Sequence, residues 1–252
     1  MSGWRSIGRR IKRWAGVRPP PPRTELLRVP VHLCRHYCGF RYGSDSFNPY
    51  ENYIVGLHQG IPTAELRRRF EDFICWYRPR NFAETFGITI NPAIPLWSYP
   101  WSGPVPPNHG WHLGLDAIPD ILTHFCAAGV KRSRIEEEYS WLHRAYESIK
   151  QHDYQPQAHS YLKVREMTDG QSRAYLVEDG NHRLSALVAL GVRDVLVQQL
   201  PIDTVALAQL PTWPQVQSGY YLPAEAEQLL RVYLRGMDGF PRSAVPATMI
   251  EA

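Results

Sequence analysis

The sequence predicts an α+β fold, a small mixed sheet with packed helices, enlarged by an N-terminal helical and loop-rich region. The first sign lies in residues 172–197. Strand formers run through Ala174-Tyr175-Leu176-Val177, a turn follows at Asp179-Gly180, and Leu184, Leu187, Val188 and Leu190 then recur at helical spacing. Gly191 stops that helix, and Asp194-Val195-Leu196-Val197 reads as the next strand. The second sign is a pair of amphipathic helices upstream, over 62–77 and 131–149. The third is composition: 22 Pro, 8 Trp and 14 Tyr in 252 residues point to long, structured loops. At 44% hydrophobic and 21% charged, the chain can bury its core as one enlarged domain or as two small ones.

Taken from the start, residues 1–17 place Trp4, Ile7, Ile11 and Trp14 on one helical face, with Arg and Lys over much of the rest. Such a helix suits an anionic membrane surface; a disordered basic arm, or a helix packed on the body, accounts for the same pattern. Four prolines, 19–22, follow as a stiff spacer. Residues 25–42 read as a strand leading into a loop. If 31–38 is extended, His32, Cys34, His36 and Cys38 fall on one side, yet four successive same-face positions span too far for one tetrahedral metal site. Reduced thiols are expected at Cys34, Cys38, Cys75 and Cys126, which form no Cys-x-x-Cys pair.

Helix 62–77 turns Leu66, Phe70, Phe73, Ile74 and Tyr77 inward, with Thr63 near its start and Pro79 beyond its end. Arg67, Arg68 and Arg69 lie largely off that face, where they suit a substrate phosphate or simply a solvated helix side. Between 91 and 111, six prolines accompany Trp97, Trp101 and Trp111. Their flat indole faces suit the apolar faces of sugar rings, and they serve equally well to pin a long loop to the core. Helix 131–149 steps through Ile135, Tyr139, Leu142, Tyr146 and Ile149. Ser133 is placed to cap it, and Glu136, Glu137 and Glu138 complement its dipole.

The chemistry concentrates in Asp179-Gly180-Asn181-His182-Arg183. Gly180 allows a sharp bend, and the unpaired N–H groups of the next helical turn favour an anion in it. His182 and Arg183 add a switchable and a permanent positive charge, and Asp179 a carboxylate for a magnesium ion or a hydroxyl proton. Asp-Gly turns and solvated helix ends are common. The coherent order of hairpin, strand, helix and strand from Tyr161 to Val197 is what sets this one apart.

This stretch resembles the Asp-Gly-X-His-Arg signature of the ParB/sulfiredoxin superfamily, and the likeness runs over about residues 160–200. More loosely, Gly129, Ser133, Glu138, Trp141-Leu142, Ser148-Ile149, Trp213-Pro214-Gln215-Val216 and Ser218-Gly219 resemble ParB-like proteins of bacterial surface-polysaccharide clusters. The superfamily's members share a nucleotide phosphate site at this turn: ParB proteins bind CTP, and sulfiredoxin and free serine kinase use ATP. The resemblance therefore implies a ParB/sulfiredoxin-like kinase fold that binds ATP or CTP with Mg2+. Gly180, Asn181, His182 and Arg183 would hold phosphates, Asp179 would take the metal or the proton, and His182 and Glu138 would be catalytic. It also implies a hydroxyl of a sugar or surface-glycan precursor as acceptor. Strand alternation lets at most one of Glu178 and Asp179 face the site, and the signature favours Asp179. A nucleotide-binding module without turnover, a nuclease-like protein and a scaffold that keeps the turn for structure alone are the rival readings.

The layout expected is an arm and spacer (1–23), a helical and loop-rich region packed on the core (24–155), the nucleotide-binding core closed by a helix over 224–234 (156–236), and a frayed tail (237–252). Seven of the 28 Lys and Arg residues precede Glu25, leaving 21 against 24 acidic groups. A slightly acidic body, with no helix-turn-helix after the signature, speaks against nucleic acid as the main partner. No apolar run is long enough to span a membrane, and no secretory apolar core opens the chain. The expected location is the cytoplasm, with the arm able to hold the protein at the inner membrane.

Overall fold

The computed structural model of the chain describes residues 25–43, 46–76, 86–88, 99–103, 132–200 and 204–239. The basic arm, the proline spacer, Trp97, Trp111, Cys126 and most of the tail lie outside them, as do the side chains of Ile74, Cys75 and Ser133.

Six strands form one mixed sheet: β1 (Glu25–Pro30), β2 (Cys34–Arg35), β3 (Leu162–Thr168), β4 (Arg173–Asp179), β5 (Asp194–Gln199) and β6 (Val205–Ala206). Its order is β1-β5-β3-β4-β2, with β6 also pairing β3. β1 runs antiparallel to β5 and β3 antiparallel to β4, while β3–β5, β2–β4 and β3–β6 are parallel. The α+β class is as the pattern predicts. The sheet nevertheless straddles the expected boundary at 155/156, since its edge strands β1 and β2 come from the N-terminal side.

Alternation along β4 decides what covers each face. Tyr175 and Val177 point into one core with Leu162 and Val164 of β3; Ala174 and Leu176 point into the other with Met167. The first face carries helices α1 (Pro49–His58), α2 (Thr63–Trp76), α3 (Arg132–His152) and α5 (Asn181–Ala189), with the single turn α4 (Pro156–His159) after α3. On the second lie the short α6 (Pro214–Gln217) and the amphipathic α7 (Pro223–Arg235), which buries Ala226, Leu229, Leu230 and Tyr233.

The helices follow their spacing. All five stepping residues of α3, Ile135, Tyr139, Leu142, Tyr146 and Ile149, are buried, as are Leu66 and Phe70 of α2. The arginine triplet of α2 is accounted for by neighbouring carboxylates. Arg68 and Arg69 pair with Asp72 and Glu65 one turn away, and Arg67 reaches Glu136 on α3 at 3.2 Å. α1 is a helix that the sequence pattern does not predict. Asn48 caps it, its side chain accepting from Tyr50 N–H at 3.1 Å, and Pro49 opens it.

Residues 31–38 are not one extended run. A 3-10 turn over Val31–Leu33 breaks it, and among the described residues no group of three or more His, Cys, Asp or Glu side chains could hold a metal ion. Cys34 and Cys38 are buried free thiols, and burial pushes the Cys34 thiol up to about 12. Met237, the first residue of the expected tail, is buried and its N–H donates to Gly39 O at 2.8 Å; residues 240–252 lie outside the described residues.

Candidate functional site

The turn between β4 and α5 has the geometry its residues dictate. Gly180 sits at φ 98° in the left-handed region, and a Cβ there would lie 2.3 Å from Leu162 Cδ2 and 2.9 Å from Arg183 Nη2. Both the backbone and the space require glycine. The first intrahelical bond of α5 runs from Leu184 N–H to Gly180 O at 2.9 Å. The N–H groups of Asn181, His182 and Arg183 precede it and form the positive end of the helix.

α5 packs between α1 and α3, and this brings α3 to the turn. A cleft of about 600 Å³ opens between them, with Asp179, Gly180, His182 and Arg183 on one wall and Trp141, Arg144 and Ser148 of α3 on the other. His182 lines it, and His182 Nε2 lies 2.7 Å from Glu138 Oε2, which stands behind the lining residues. The Glu138 side chain is 10% exposed and that of His182 27%, so the pair is shielded from bulk water without being sealed off. The Trp141 ring flanks His182 at 5.7 Å between centroids. Glu138 is thus singled out among the three acids at the head of α3, and it is buried against the turn.

Behind His182 the wall is aromatic. Tyr50 lies 6.1 Å from it, and His36 stacks on Tyr50 at 4.8 Å. His36 is fully buried; its Nδ1 accepts from Cys38 N–H at 3.2 Å, which leaves the proton on Nε2. Burial, and secondarily the charge of His182, hold His36 well below its ordinary range.

The two carboxylates ending β4 separate as alternation requires. Asp179 lines the cleft, with Oδ2 at 3.2 Å from Lys163 Nζ and Oδ1 at 3.7 Å from Arg183 Nη2. Glu178, the extra residue of a bulge against β3, pairs with Arg165 at 2.9 Å. Desolvation raises its carboxyl while Arg165 opposes the rise. A magnesium ion keeps most of its water and takes one or two carboxylates along with phosphate oxygens. Asp179 and Asp153 are the carboxylates of the cleft, a set that fits an ion carried in on a polyphosphate.

Asn181 and Arg183 are engaged within the fold. Asn181 Oδ1 accepts from Tyr42 OH at 2.7 Å and its Nδ2 donates to Val177 O at 3.3 Å, so its side chain is tied into the fold. Arg183 Nη1 donates to His159 O at 3.2 Å, to Ser160 Oγ at 3.3 Å and to Ser160 O.

No protein-family model, curated protein or solved structure matches this chain. The site is therefore read from its own geometry. Trp141, Arg144, Asp153, Tyr154, Gln155 and His159 also line it, and Lys163 reaches it through Asp179; the sequence alone does not assign them to it. Trp141 is the one with a visible signal, a tryptophan one turn beyond Glu138 on the same helix. The proposed sugar platform is not available at Trp101, which is buried, stacked on Tyr99 at 5.3 Å and edge-on to Trp213 at 5.4 Å. Among the described residues no helix is long and apolar enough to cross a membrane.

Proposed function

We propose that the chain is an ATP-dependent phosphotransferase of ParB/sulfiredoxin-like type, acting on a hydroxyl of a sugar or surface-glycan precursor. The observation that carries this is that Asp179, Gly180, His182 and Arg183 line one cleft at a helix N-terminus, with His182 hydrogen-bonded to Glu138 behind it. The N–H groups of Asn181, His182 and Arg183 would bind the polyphosphate, with the Arg183 guanidinium offsetting the charge that spreads over the transferring group. Asp179 would hold magnesium, which neutralises phosphate charge when bound. Glu138 accepts the Nε2 proton of His182, leaving Nδ1 as the nitrogen with a free lone pair. In the transfer the acceptor oxygen bonds to the γ-phosphorus, the bond to the β,γ-bridging oxygen breaks, ADP departs, and the hydroxyl proton passes to His182. The Glu138 carboxylate offsets the imidazolium so formed. CTP fits the same phosphate contacts, since none of them reads the base.

The test is to incubate the full chain with γ-labelled ATP, magnesium and a panel of glycan precursors. Label should move to an acceptor hydroxyl. Nucleotide binding without transfer, in the presence of acceptors that are otherwise phosphorylated, would replace this reading with a nucleotide-binding module. One observation favours that rival: Asp179 and Arg183 both already have partners in the fold.

A further inference from the structure

The segment between α3 and β3, residues 153–160, contributes Asp153, Tyr154, Gln155 and His159 to the cleft. Its base is fixed, because Tyr154 OH accepts from Leu162 N–H at 3.1 Å and Gln155 Nε2 donates to His152 O at 2.8 Å. From Gln157 to Ser160 it is exposed. Among the described residues, Asp153 at φ 61° and Ser160 at φ 69° are the non-glycine residues with positive φ, and they stand at its two ends. Aspartate tolerates that region. Ser160 does not: with ψ 148° it occupies a conformation that is almost confined to glycine.

A residue in such a conformation persists only where its surroundings hold it, and here the holder is Arg183. Its Nη1 binds the His159 and Ser160 carbonyls and the Ser160 hydroxyl together, while its Nη2 lies over Gly180 beside Asp179. The guanidinium thus joins the strap directly to the floor of the anion site. A phosphate gripped by both terminal nitrogens in a fork takes Nη1 away from two neutral carbonyls, and charge-assisted bonds outcompete neutral ones. Once Nη1 leaves, the strain at Ser160 favours relaxation.

We propose that residues 153–160 form a strap latched over the cleft by Arg183 and released when a polyphosphate takes the guanidinium, so that nucleotide binding opens the acceptor side. This rests on the cleft being a phosphate site and goes beyond it by making binding of the acceptor follow that of the nucleotide.

Hydrogen–deuterium exchange on the full chain tests it at the amides of Ala158, His159 and Leu162, whose bonds hold the strap. Inorganic tripolyphosphate or ATP should speed their exchange by roughly tenfold, the scale of losing a charged hydrogen bond. Arg183→Ala should do the same without ligand while leaving the β3–β5 amides protected. Ser160→Gly, which removes the strain and keeps the carbonyls, should slow exchange relative to the natural chain. Unchanged strap exchange in saturating tripolyphosphate, or in a folded Arg183→Ala protein, overturns the latch. If ATP is bound and turned over while the strap stays protected, the latch falls and the kinase assignment stands. If the strap opens with tripolyphosphate but no acceptor is phosphorylated, the latch stands and the kinase assignment falls.

Discussion

His182 Nε2 and Glu138 Oε2 meet at 2.7 Å although they are 44 residues apart in sequence, one at the head of α5 and the other in the second turn of α3. The contact fixes the imidazole tautomer and places a negative charge behind any proton it accepts. Glu138→Gln keeps an acceptor for the Nε2 proton and removes that charge. Turnover should fall by about 100-fold or more, the scale of the general-base catalysis by His182 that this charge supports, while KM for ATP changes by less than about threefold. Steady-state kinetics checks this; a comparable loss of ATP affinity would make the pair part of the nucleotide grip.

Asp179 and Arg183 face each other across the turn at 3.7 Å but should fail differently. Arg183→Ala removes a charged donor of the phosphate site, so ATP affinity should fall by about 10- to 100-fold, and Arg183→Lys should not restore a forked grip. Asp179→Asn should leave affinity within a few-fold and abolish transfer. Calorimetric titration beside label transfer separates the two, and equal losses in both would remove the division of roles.

Elements whose information is local were legible in the sequence. The apolar steps of α2, α3 and α7, the β3–β4 hairpin around Gly170 and the turn at Gly180 all follow from spacing and turn chemistry within a few residues. What depends on distant partners was not. A strand at 25–30 can be read, but its pairing with β5 cannot, because the register Leu27↔Val197 is set by packing across the whole chain. Glu138 could be named only through a resemblance, since three adjacent acids at a helix start look alike until α5 buries one of them. Asn181 reads as a phosphate ligand because nothing in its neighbourhood announces Tyr42. α1 is ambiguous in the sequence: Tyr50, Tyr53, Ile54 and Leu57 have helical spacing, but the Asn-Pro start reads equally as a turn.

Gly180 offers a test of the turn that involves no ligand. An alanine must hold φ near 98° and place its Cβ 2.3 Å from Leu162 Cδ2, a buried side chain of β3 with little room to yield. Strain and overpacking together should cost about 2–4 kcal/mol. Gly170→Ala in the β3–β4 hairpin has φ 92° but open space around it, and should cost only the conformational part, about 1–2 kcal/mol. Urea unfolding of the two variants measures the difference, and equal losses would mean that Leu162 moves aside freely.

Glu51 gives the fold a pH dependence of its own. It lies buried on α1, accepting from Gly43 N–H at 3.0 Å and from Ser46 Oγ at 3.0 Å, and burial outweighs those bonds to push its carboxyl up to about 7 from 4.5. Its folded value therefore exceeds its unfolded one. The stability it contributes is complete below pH 4.5 and is lost as pH rises toward 7, at up to about 1.4 kcal/mol per pH unit. His36, held below its ordinary value, acts in the opposite sense and is destabilising as pH falls below 6.5, so the raw curve mixes the two. Glu51→Gln keeps an acceptor for Gly43 N–H and cannot ionise. The difference in unfolding free energy between this variant and the natural chain should grow in the variant's favour from pH 4.5 to about 7, the window set by the shift, and level off above it. A difference that stays constant over that range would show that the Gly43 and Ser46 bonds, rather than burial, govern the charge of Glu51.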